Sequence, residues 1–321
     1  MSSISWSATS AAQIPAERGP WLGVAHGAGA GALWGLVFLA PQVAGTFSPL
    51  QLTIGRYFCY GAIAAALLAP RWRSLVASLS WQQWLRLSGL AFVGNTLYYV
   101  LLSTAVQTGG IAMTSLVIGF LPVAVTIVGS RDRGAVPLGR LFPSLALCVA
   151  GSLCIGWQAL AGPTVGSAAS RMVGLFCAVG AMMSWTIYAV CNARSLSRLQ
   201  QVSAHEWNLL TGIVTGAQSL ALIPLALLLE TKQHGPAEWG RYVIVSAGVA
   251  VLASIAGNSL WNRMSRLLPL TLVGQMILFE TLFALSYGFL WDHRLPALLE
   301  IGALTCVILS VLSCLAAHRR R

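Results

Sequence analysis

Ten long apolar stretches, separated by short polar segments, dominate this chain of 321 residues. A helix needs about 20 apolar residues to cross the hydrocarbon core of a bilayer, and each stretch has a similar length. The connecting segments are too short to form a soluble domain of their own. The pattern therefore predicts an all-α membrane protein with ten transmembrane helices, called spans 1 to 10 below. Their predicted ranges are 22–43, 50–70, 85–106, 111–130, 141–160, 172–193, 206–229, 241–262, 268–290 and 297–316.

Positively charged residues are distributed unevenly over the polar segments, and their distribution predicts the orientation. With the N-terminus in the cytoplasm, most of the 19 Lys and Arg residues fall in cytoplasmic segments, as membrane proteins require. An even number of spans then places both termini in the cytoplasm. Arg56 is the exception, because it lies inside span 2.

The composition agrees with a membrane protein and excludes several other classes. Only 8% of the residues are charged and 57% are hydrophobic, whereas a soluble domain has about 25% charged residues. The net charge of +11 is explained by membrane topology, so no nucleic-acid partner is expected. The seven cysteines lie in apolar stretches, and their spacing matches neither a metal site nor a disulfide framework.

A six-residue sequence occurs twice and indicates an internal repeat. Residues 94–99 read GNTLYY in span 3, and residues 257–262 read GNSLWN in span 8. Trp34 and Trp185 lie near the middle of spans 1 and 6, so a shift of five spans superimposes both features. Because five is odd, the second repeat is inverted relative to the first, as in many secondary transporters. The predicted units are a disordered cytoplasmic tail (1–20), two five-helix repeats (21–160 and 171–316) and a basic cytoplasmic tail (317–321).

Two segments resemble a known family. Span 2 contains TIGRYFCYGAIAAALLAP and span 4 contains SLVIGFLPVAV, with a proline at Pro122. With the five-plus-five arrangement, they resemble the drug/metabolite transporter (DMT) superfamily, EamA-type, and within it most closely the aromatic amino acid exporter (YddG-type) group. The resemblance covers nearly the whole chain after residue 20. It implies a central cavity surrounded by spans 1–4 and 6–9, with spans 5 and 10 peripheral. The chain departs from the pattern at Glu280, about where the repeat would place a second proline.

Three ionisable residues inside the predicted spans are candidates for ion coupling or charge recognition. A charged side chain at a helix centre costs about 2.5–3.5 kcal/mol on insertion scales, so it suggests a function. Glu280 could exchange a proton for substrate, or it could merely fix helix packing, either held protonated or bonded to a neighbouring amide such as Gln275. Arg56 could bind a substrate carboxylate or pair with Glu280. The alternative, which we expect, is that it reaches the outer interface or caps a neighbouring helix. His26 is expected to pack rather than to relay protons.

Aromatic and amide side chains predict a cavity for a ligand with a flat apolar part. In each copy of the six-residue sequence, the asparagine shares a helical face with the residues three and four positions later. The alternative is hydrogen bonding between helices, which averages only about 0.6 kcal/mol in membranes. The candidate cavity residues are Trp34, Asn95, Tyr98, Tyr99, Trp185, Tyr188, Asn258, Trp261 and Gln275.

These observations predict a secondary transporter in the inner membrane of a bacterium, functional as a monomer. The expected activity is export of small metabolites by alternating access, with aromatic or other hydrophobic amino acids as substrates. The alternatives are proton-coupled efflux of amphipathic organic cations and, less favoured, an intramembrane enzyme. The sequence shows no phosphate-binding glycine loop and no spacing typical of a nucleophile and its base. We therefore expect no enzyme activity and no cofactor, and the lipid bilayer and a small molecule as the only partners.

Overall fold

The structure is a computed structural model that describes residues 19–45, 47–132, 134–160, 167–199, 202–230, 232–291, 293 and 295–319. Within these ranges every regular element is a helix. The N-terminal tail predicted for residues 1–20 lies outside the described residues except for its last two, which begin the first helix. The last two residues of the predicted basic tail also lie outside them.

The helices of the two halves follow one another with short connections. The helices of the first half are α1 (Gly19–Gly35), α2 (Ala40–Ala44), α3 (Pro49–Leu68), α4 (Trp72–Ser78), α5 (Trp81–Ala91), a first π-helix (Phe92–Leu97), α6 (Tyr98–Ile118), α7 (Leu121–Gly129) and α8 (Leu138–Leu160). The helices of the second half are α9 (Ala168–Arg198), α10 (Ala204–Ala221), α11 (Ile223–Leu229), α12 (Pro236–Val249), a second π-helix (Ala250–Gly257), α13 (Asn258–Leu267), α14 (Leu270–Met276), α15 (Leu278–Trp291) and α16 (Leu298–Arg319).

Seven helical segments are long and apolar enough to cross a membrane, and an eighth, Leu138–Cys154, is apolar but shorter. Together they correspond to the predicted spans 2, 3 and 5 to 10. The seven segments are Leu50–Ser78, Trp81–Val106, Ala168–Arg198, Ala204–Leu229, Pro236–Leu267, Leu270–Trp291 and Leu298–Arg319.

The segments predicted as spans 1 and 4 are helical but interrupted. In the first, α1 ends at Gly35 and is followed by a short 3₁₀ turn. In the second, α6 ends at Ile118 because Pro122 has no N–H to donate to that residue's carbonyl. The carbonyl of Gly119 at this break accepts a hydrogen bond from the Ser152 hydroxyl at 3.0 Å. Residues 107–110, predicted as the connection between spans 3 and 4, are helical instead.

The chain nevertheless reverses its direction within α6, as its contacts along α9 show. The three contacts, in their order along α9, are Ser170 Oγ to Thr108 O at 2.9 Å, Ser184 Oγ to Val93 O at 2.6 Å and Arg194 Nη2 to Asp132 Oδ1 at 2.6 Å. The chain from Val93 to Thr108 is thus antiparallel to α9, and the chain from Thr108 to Asp132 runs parallel to it. The reversal follows Thr108.

The two halves pack against each other helix by helix and in opposite directions. At one level of the α3–α10 pair, Gly61 and Gly216 bring the two backbones together, since a Cβ on either would lie 2.7 Å from the other's Cα. Three residues beyond the end of α3, the Arg71 guanidinium pairs with Glu206 at 3.0 Å. Residue numbers therefore rise along one helix as they fall along the other. The pairs α7–α14 and α8–α16 also join the two halves.

Glycines spaced four residues apart line one face of α1 and allow a close approach to the second half. They are Gly23, Gly27, Gly31 and Gly35. A Cβ on any of them would come within about 3 Å of an atom in the chain segment that runs from α13 to α15. A Cβ on Gly31, for example, would lie 2.7 Å from the backbone nitrogen of Glu280. Small residues of this kind let membrane helices pack backbone to backbone. They place Glu280 directly beside α1.

Candidate functional site

Both copies of the repeated six-residue sequence lie at a π-helix. The first π-helix contains Gly94 and Asn95, and the second ends at Gly257, immediately before Asn258. π-helical turns are rare, and they occur frequently at functional sites. Each half of the molecule therefore has a distorted helix at the position where the sequence repeats.

The glycine of each copy lies against an aromatic ring from the other half of the chain. A Cβ on Gly94 would overlap the ring of Tyr188 on α9. A Cβ on Gly257 would lie 2.9 Å from the indole nitrogen of Trp34 on α1. Both positions therefore need glycine so that a ring can lie directly on the helix backbone. This requirement explains why the residue occurs in both copies.

Carbonyl groups of the second π-helix accept hydrogen bonds from side chains of other helices. Trp34 Nε1 donates to the carbonyl of Ala253 at 3.1 Å and to Asn258 Oδ1 at 3.1 Å. Asn208 Nδ2 on α10 donates to the carbonyls of Ser254 at 3.1 Å and Ile255 at 3.0 Å. Buried backbone carbonyls need such partners, so these side chains stabilise the distortion.

Carbonyl groups of the first π-helix also accept hydrogen bonds from other helices, but from different side chains. The Ser184 hydroxyl on α9 donates to the carbonyl of Val93 at 2.6 Å. The Tyr57 hydroxyl on α3 donates to the carbonyl of Asn95 at 3.4 Å, and Asn95 Nδ2 donates to Thr215 Oγ1 at 3.4 Å. The side chain of Asn95 is thus bound to α10.

Three tryptophans from both halves form a cluster at the interface between the π-helices. This tryptophan cluster consists of Trp34, Trp185 and Trp261, all buried. The ring centroids of Trp34 and Trp261 are 5.0 Å apart, those of Trp185 and Trp261 are 5.3 Å apart, and those of Trp34 and Trp185 are 6.1 Å apart. Tyr188 and Tyr98 adjoin Trp185, with centroids 6.1 Å and 6.5 Å from it. Three of the predicted cavity residues therefore lie in one place.

Arg56 points into the interface between the halves and does not reach outwards, contrary to expectation. Its Nε donates to Ser254 Oγ of the second π-helix at 3.1 Å. Its guanidinium carbon lies 5.1 Å from the ring centroid of Tyr57 and 5.2 Å from that of Tyr99. Cation–π contacts of this kind stabilise a desolvated cation. The hydrogen bond and the two rings hold the side chain in place inside the bundle.

Glu280, the third residue of α15, is half-buried beside α1. Within the described part of the chain, its carboxylate makes no hydrogen bond and no ion pair within 4 Å. Its charged and titratable neighbours are Arg56 and Tyr98, which interact with it across a larger separation. The predicted bond to Gln275 is not formed, because the Gln275 side chain points to α16, where its Oε1 accepts a hydrogen bond from Ser310 at 3.0 Å.

Two candidates lie apart from the tryptophan cluster. Gln275 is fully buried, and its contact with α16 directs it away from the interface of the π-helices. His26 Nδ1 bonds the carbonyl of Leu22, one turn earlier in α1, at 2.7 Å, and its expected role as a packing residue stays a prediction. The other candidates converge on the cluster and on Arg56 beside it: Trp34, Asn95, Tyr98, Tyr99, Trp185, Tyr188, Asn258, Trp261 and Glu280.

Several polar residues at this interface were not among the sequence candidates. Tyr57 and Tyr60 on α3 lie on the same side of the bundle as Arg56, and the Tyr60 hydroxyl donates to the carbonyl of Asn208 at 2.6 Å. Asn208 binds carbonyl groups of the second π-helix, and Ser254, which belongs to that helix, accepts the hydrogen bond of Arg56. A signal existed for Tyr60, which follows Arg56 at the helical spacing of four residues. The small hydroxyl of Ser254 gave no comparable signal.

Comparisons with known proteins identify a family and a shared fold. Residues 21–157 and 172–315 match the EamA-like transporter family. The inner membrane protein YtfF of Escherichia coli (strain K12) is 29% identical over 308 residues, which are 90% of this chain and 93% of that protein. One solved crystal structure superposes with a TM-score of 0.72 at 19% identity, over 95% of this chain and 99% of its own. At that identity the likeness shows the fold alone. Together with the seven apolar helices, these findings make the chain a multi-pass membrane protein.

Proposed function

Because this chain belongs to the EamA-like transporter family, we propose that it is a secondary transporter that exports aromatic and other hydrophobic amino acids from a bacterium. Family membership supports a transporter of small solutes, not an enzyme. The name of the relative YtfF supports a location in the inner membrane. The substrate class is our inference from the tryptophan cluster and the two charges beside it.

The proposal includes ten spans in two inverted five-helix repeats, residues 21–160 and 171–316, with both termini in the cytoplasm. The antiparallel packing of α3 with α10 and the reversal after Thr108 support this topology. The two segments that match the family are compatible with it. We propose that the transporter works as a monomer by alternating access, with one repeat moving against the other around the tryptophan cluster.

The observation that supports the substrate class best is the combination of aromatic rings and opposite charges at the repeat interface. Trp34, Trp185 and Trp261 offer flat apolar surfaces that prefer stacked or edge-on aromatic partners. Arg56 and Glu280 lie beside them, one positive and one negative. An aromatic amino acid has the matching parts: a flat apolar side chain, a carboxylate and an ammonium group.

The test is transport by the purified protein in proteoliposomes. Counterflow of radiolabelled phenylalanine, tryptophan and leucine is measured with and without a pH gradient. We expect saturable flux that the unlabelled amino acids compete for, and a clear rise in KM for Trp185→Ala and Tyr99→Ala. Absence of flux for all three amino acids would overturn the substrate class, and unchanged kinetics in both variants would remove these residues from the site.

A second candidate is proton-coupled efflux of amphipathic organic cations. It is favoured by Glu280, whose carboxylate makes no ion pair within 4 Å to the described residues, and by the tryptophans, because aromatic faces attract organic cations. A cation would then be exchanged for a proton at Glu280. In the same assay, flux of an organic cation and none of phenylalanine would favour this candidate.

Glu280→Gln tests whether Glu280 carries the proton in either case. We expect the variant to lose flux driven by a pH gradient and to keep counterflow without one, because glutamine cannot release a proton. Glu206→Gln is the control, since Glu206 pairs with Arg71 at the start of α10 and lies outside the proposed site. Gradient-driven flux that survives in Glu280→Gln would end the proton-carrier hypothesis.

A further inference from the structure

A small cavity lies beside Arg56, between α3, α6 and α12. It has room for a group of about the size of one water molecule. Its walls are mostly apolar, but one cation and two hydroxyl groups face it. The residues that line it are Ala40, Leu52, Arg56, Tyr99, Val245, Ser246 and Val249.

The cation in this cavity has no anionic partner at contact distance. Arg56 uses its Nε for Ser254 and rests between Tyr57 and Tyr99. No carboxylate of the described residues lies within 4 Å of its guanidinium, and Glu280 interacts with it only from farther away. A charge inside a membrane protein is costly unless it is paired. The terminal nitrogens of Arg56 are therefore suited to hold an anion that comes from outside the chain.

Ser246 provides an independent observation at the same cavity. Its side chain is 3% exposed, and among the described residues its Oγ makes no hydrogen bond within 3.5 Å. The Tyr242 hydroxyl lies next to it but donates to the carbonyl of Gln51 at 2.7 Å. Ser246 lies against Gly55, one residue before Arg56, where a larger residue than glycine would collide with it. A buried hydroxyl without a partner is unfavourable by itself. A ligand acceptor in the cavity would satisfy it.

A group of aromatic rings lies beside this cavity, and two of its members come from the loops that follow α2 and α11. It consists of Phe47, His234, Trp239 and Tyr242, with Phe47 stacked on Tyr242 at 4.5 Å and on His234 at 3.9 Å. Leu52 and Val245 pack in one cluster with Phe47 and Tyr242 of this group, and both also line the cavity. These rings and the lining residues give the cavity mostly apolar surroundings, which strengthen any interaction between charges inside it.

We propose that Arg56 and Ser246 form a binding site for a small monovalent anion of the carboxylate type. The anion is either the carboxylate of the transported amino acid or a free inorganic anion such as chloride. Arg56 supplies the charge and its terminal N–H groups, and Ser246 supplies one O–H donor. The first of these sources rests on the proposed function, whereas the second does not. One carboxylate oxygen or one chloride ion has about the size of the water molecule for which the cavity has room, whereas a phosphate brings a double charge to a single cation.

The direct test is anion-dependent thermal stability of the purified full-length protein in detergent. Acetate or chloride is titrated at constant ionic strength against a sulfate background, and the unfolding midpoint is followed. We expect a saturable rise of the midpoint with at least one of the two anions. The rise should vanish in Ser246→Ala and in Arg56→Gln. If Arg56→Gln does not fold, the anion-dependent rise of the midpoint in Ser246→Ala alone tests the site.

Ser265→Ala is the matched control. Ser265 also has a buried Oγ without a partner among the described residues, but it lies on α13 and does not line the cavity. This variant should keep the full anion response. No response in the wild-type protein, or an equal response in Ser246→Ala and Ser265→Ala, would overturn the anion site.

Transport assays identify the source of the anion. If it is the substrate carboxylate, phenylalanine should compete for counterflow at least about tenfold better than phenethylamine, which lacks the carboxylate. Ser246→Ala should narrow that ratio, and acetate but not chloride should stabilise the protein. If chloride also stabilises it and the ratio stays unchanged in Ser246→Ala, the site holds an inorganic anion. An anion response without amino acid flux would reject the proposed function and leave the anion site standing.

Discussion

The two copies of the repeated sequence share their packing but differ in their hydrogen bonds. In both, a glycine lets an aromatic ring from the other half lie on a helix backbone: Tyr188 on Gly94, and Trp34 on Gly257. Only Trp34 also donates its N–H to the asparagine of the copy, Asn258, at 3.1 Å. The part of the repeat that both halves need is therefore the close contact between ring and backbone.

The charges differ between the halves even more than the hydrogen bonds do. Arg56 lies in the middle of α3, whereas α10, its counterpart, has only Glu206 near its start. Glu280 follows the break between α14 and α15, whereas Pro122 follows the break before α7. A symmetric scaffold thus carries one positive group in its first half and one negative group in its second half. This arrangement suits a substrate whose two ends differ in charge.

The largest effect is expected from Gly94→Ala. The new Cβ would overlap the ring of Tyr188, which cannot move without disturbing the tryptophan cluster, so the free energy of unfolding should fall by about 3 kcal/mol. Thermal unfolding in detergent measures the change. Gly89→Ala, one to two turns earlier in α5, has nothing within 4 Å of its new Cβ and should be neutral or slightly stabilising. Equal effects of the two substitutions would contradict the packing that we describe.

Gly257→Ala sharpens the comparison between the copies. Its Cβ would lie 2.9 Å from Trp34 Nε1, a milder collision than that of Gly94, and we expect a loss of about 1–2 kcal/mol. Gly248→Ala on α12 has open space around it and is the control. A loss greater than that of Gly94→Ala would reverse the order that the two contacts predict.

Trp34→Phe removes the indole N–H that joins the first half to the second π-helix. The variant should lose about 1–2 kcal/mol more than Trp261→Phe, because it leaves the carbonyl of Ala253 without that donor. Trp261 Nε1 has no hydrogen-bond partner among the described residues, so Trp261→Phe removes a ring of equal size but no bond. Equal stability of the two variants in chemical unfolding would show that the hydrogen bond contributes little.

The smallest effect is expected from Asn95→Ala. Its bond to Thr215 is long, at 3.4 Å, and hydrogen bonds between membrane helices average about 0.6 kcal/mol. We expect a loss of about that size, and a larger loss for Asn258→Ala, whose side chain accepts the bond from Trp34. The same unfolding assay compares them, and a greater loss for Asn95→Ala would show that the two copies are stabilised differently from what we describe.

Much of the fold follows from local properties of the sequence. Long apolar runs predicted seven of the membrane-crossing helices and the shorter apolar one, because the bilayer requires helices of about 20 apolar residues. The repeated sequence also pointed to Trp34, Trp185 and Trp261 as members of one site, and the structure brings them into contact. The break between α6 and α7 follows from Pro122, because proline removes a backbone donor wherever it occurs.

Only the tertiary structure decided where the side chains of those helices point. Gln275 and Glu280 are five positions apart, yet Gln275 bonds to Ser310 on α16 while Glu280 lies beside α1. Arg56 turns inwards because Ser254, almost 200 positions later in the chain, offers it an acceptor at 3.1 Å. Hydropathy and spacing are properties of one helix, whereas a hydrogen bond across the interface depends on which helix packs opposite. The sequence by itself therefore determined the helices, their breaks and the repeated glycines, and the packing of the two halves determined the site.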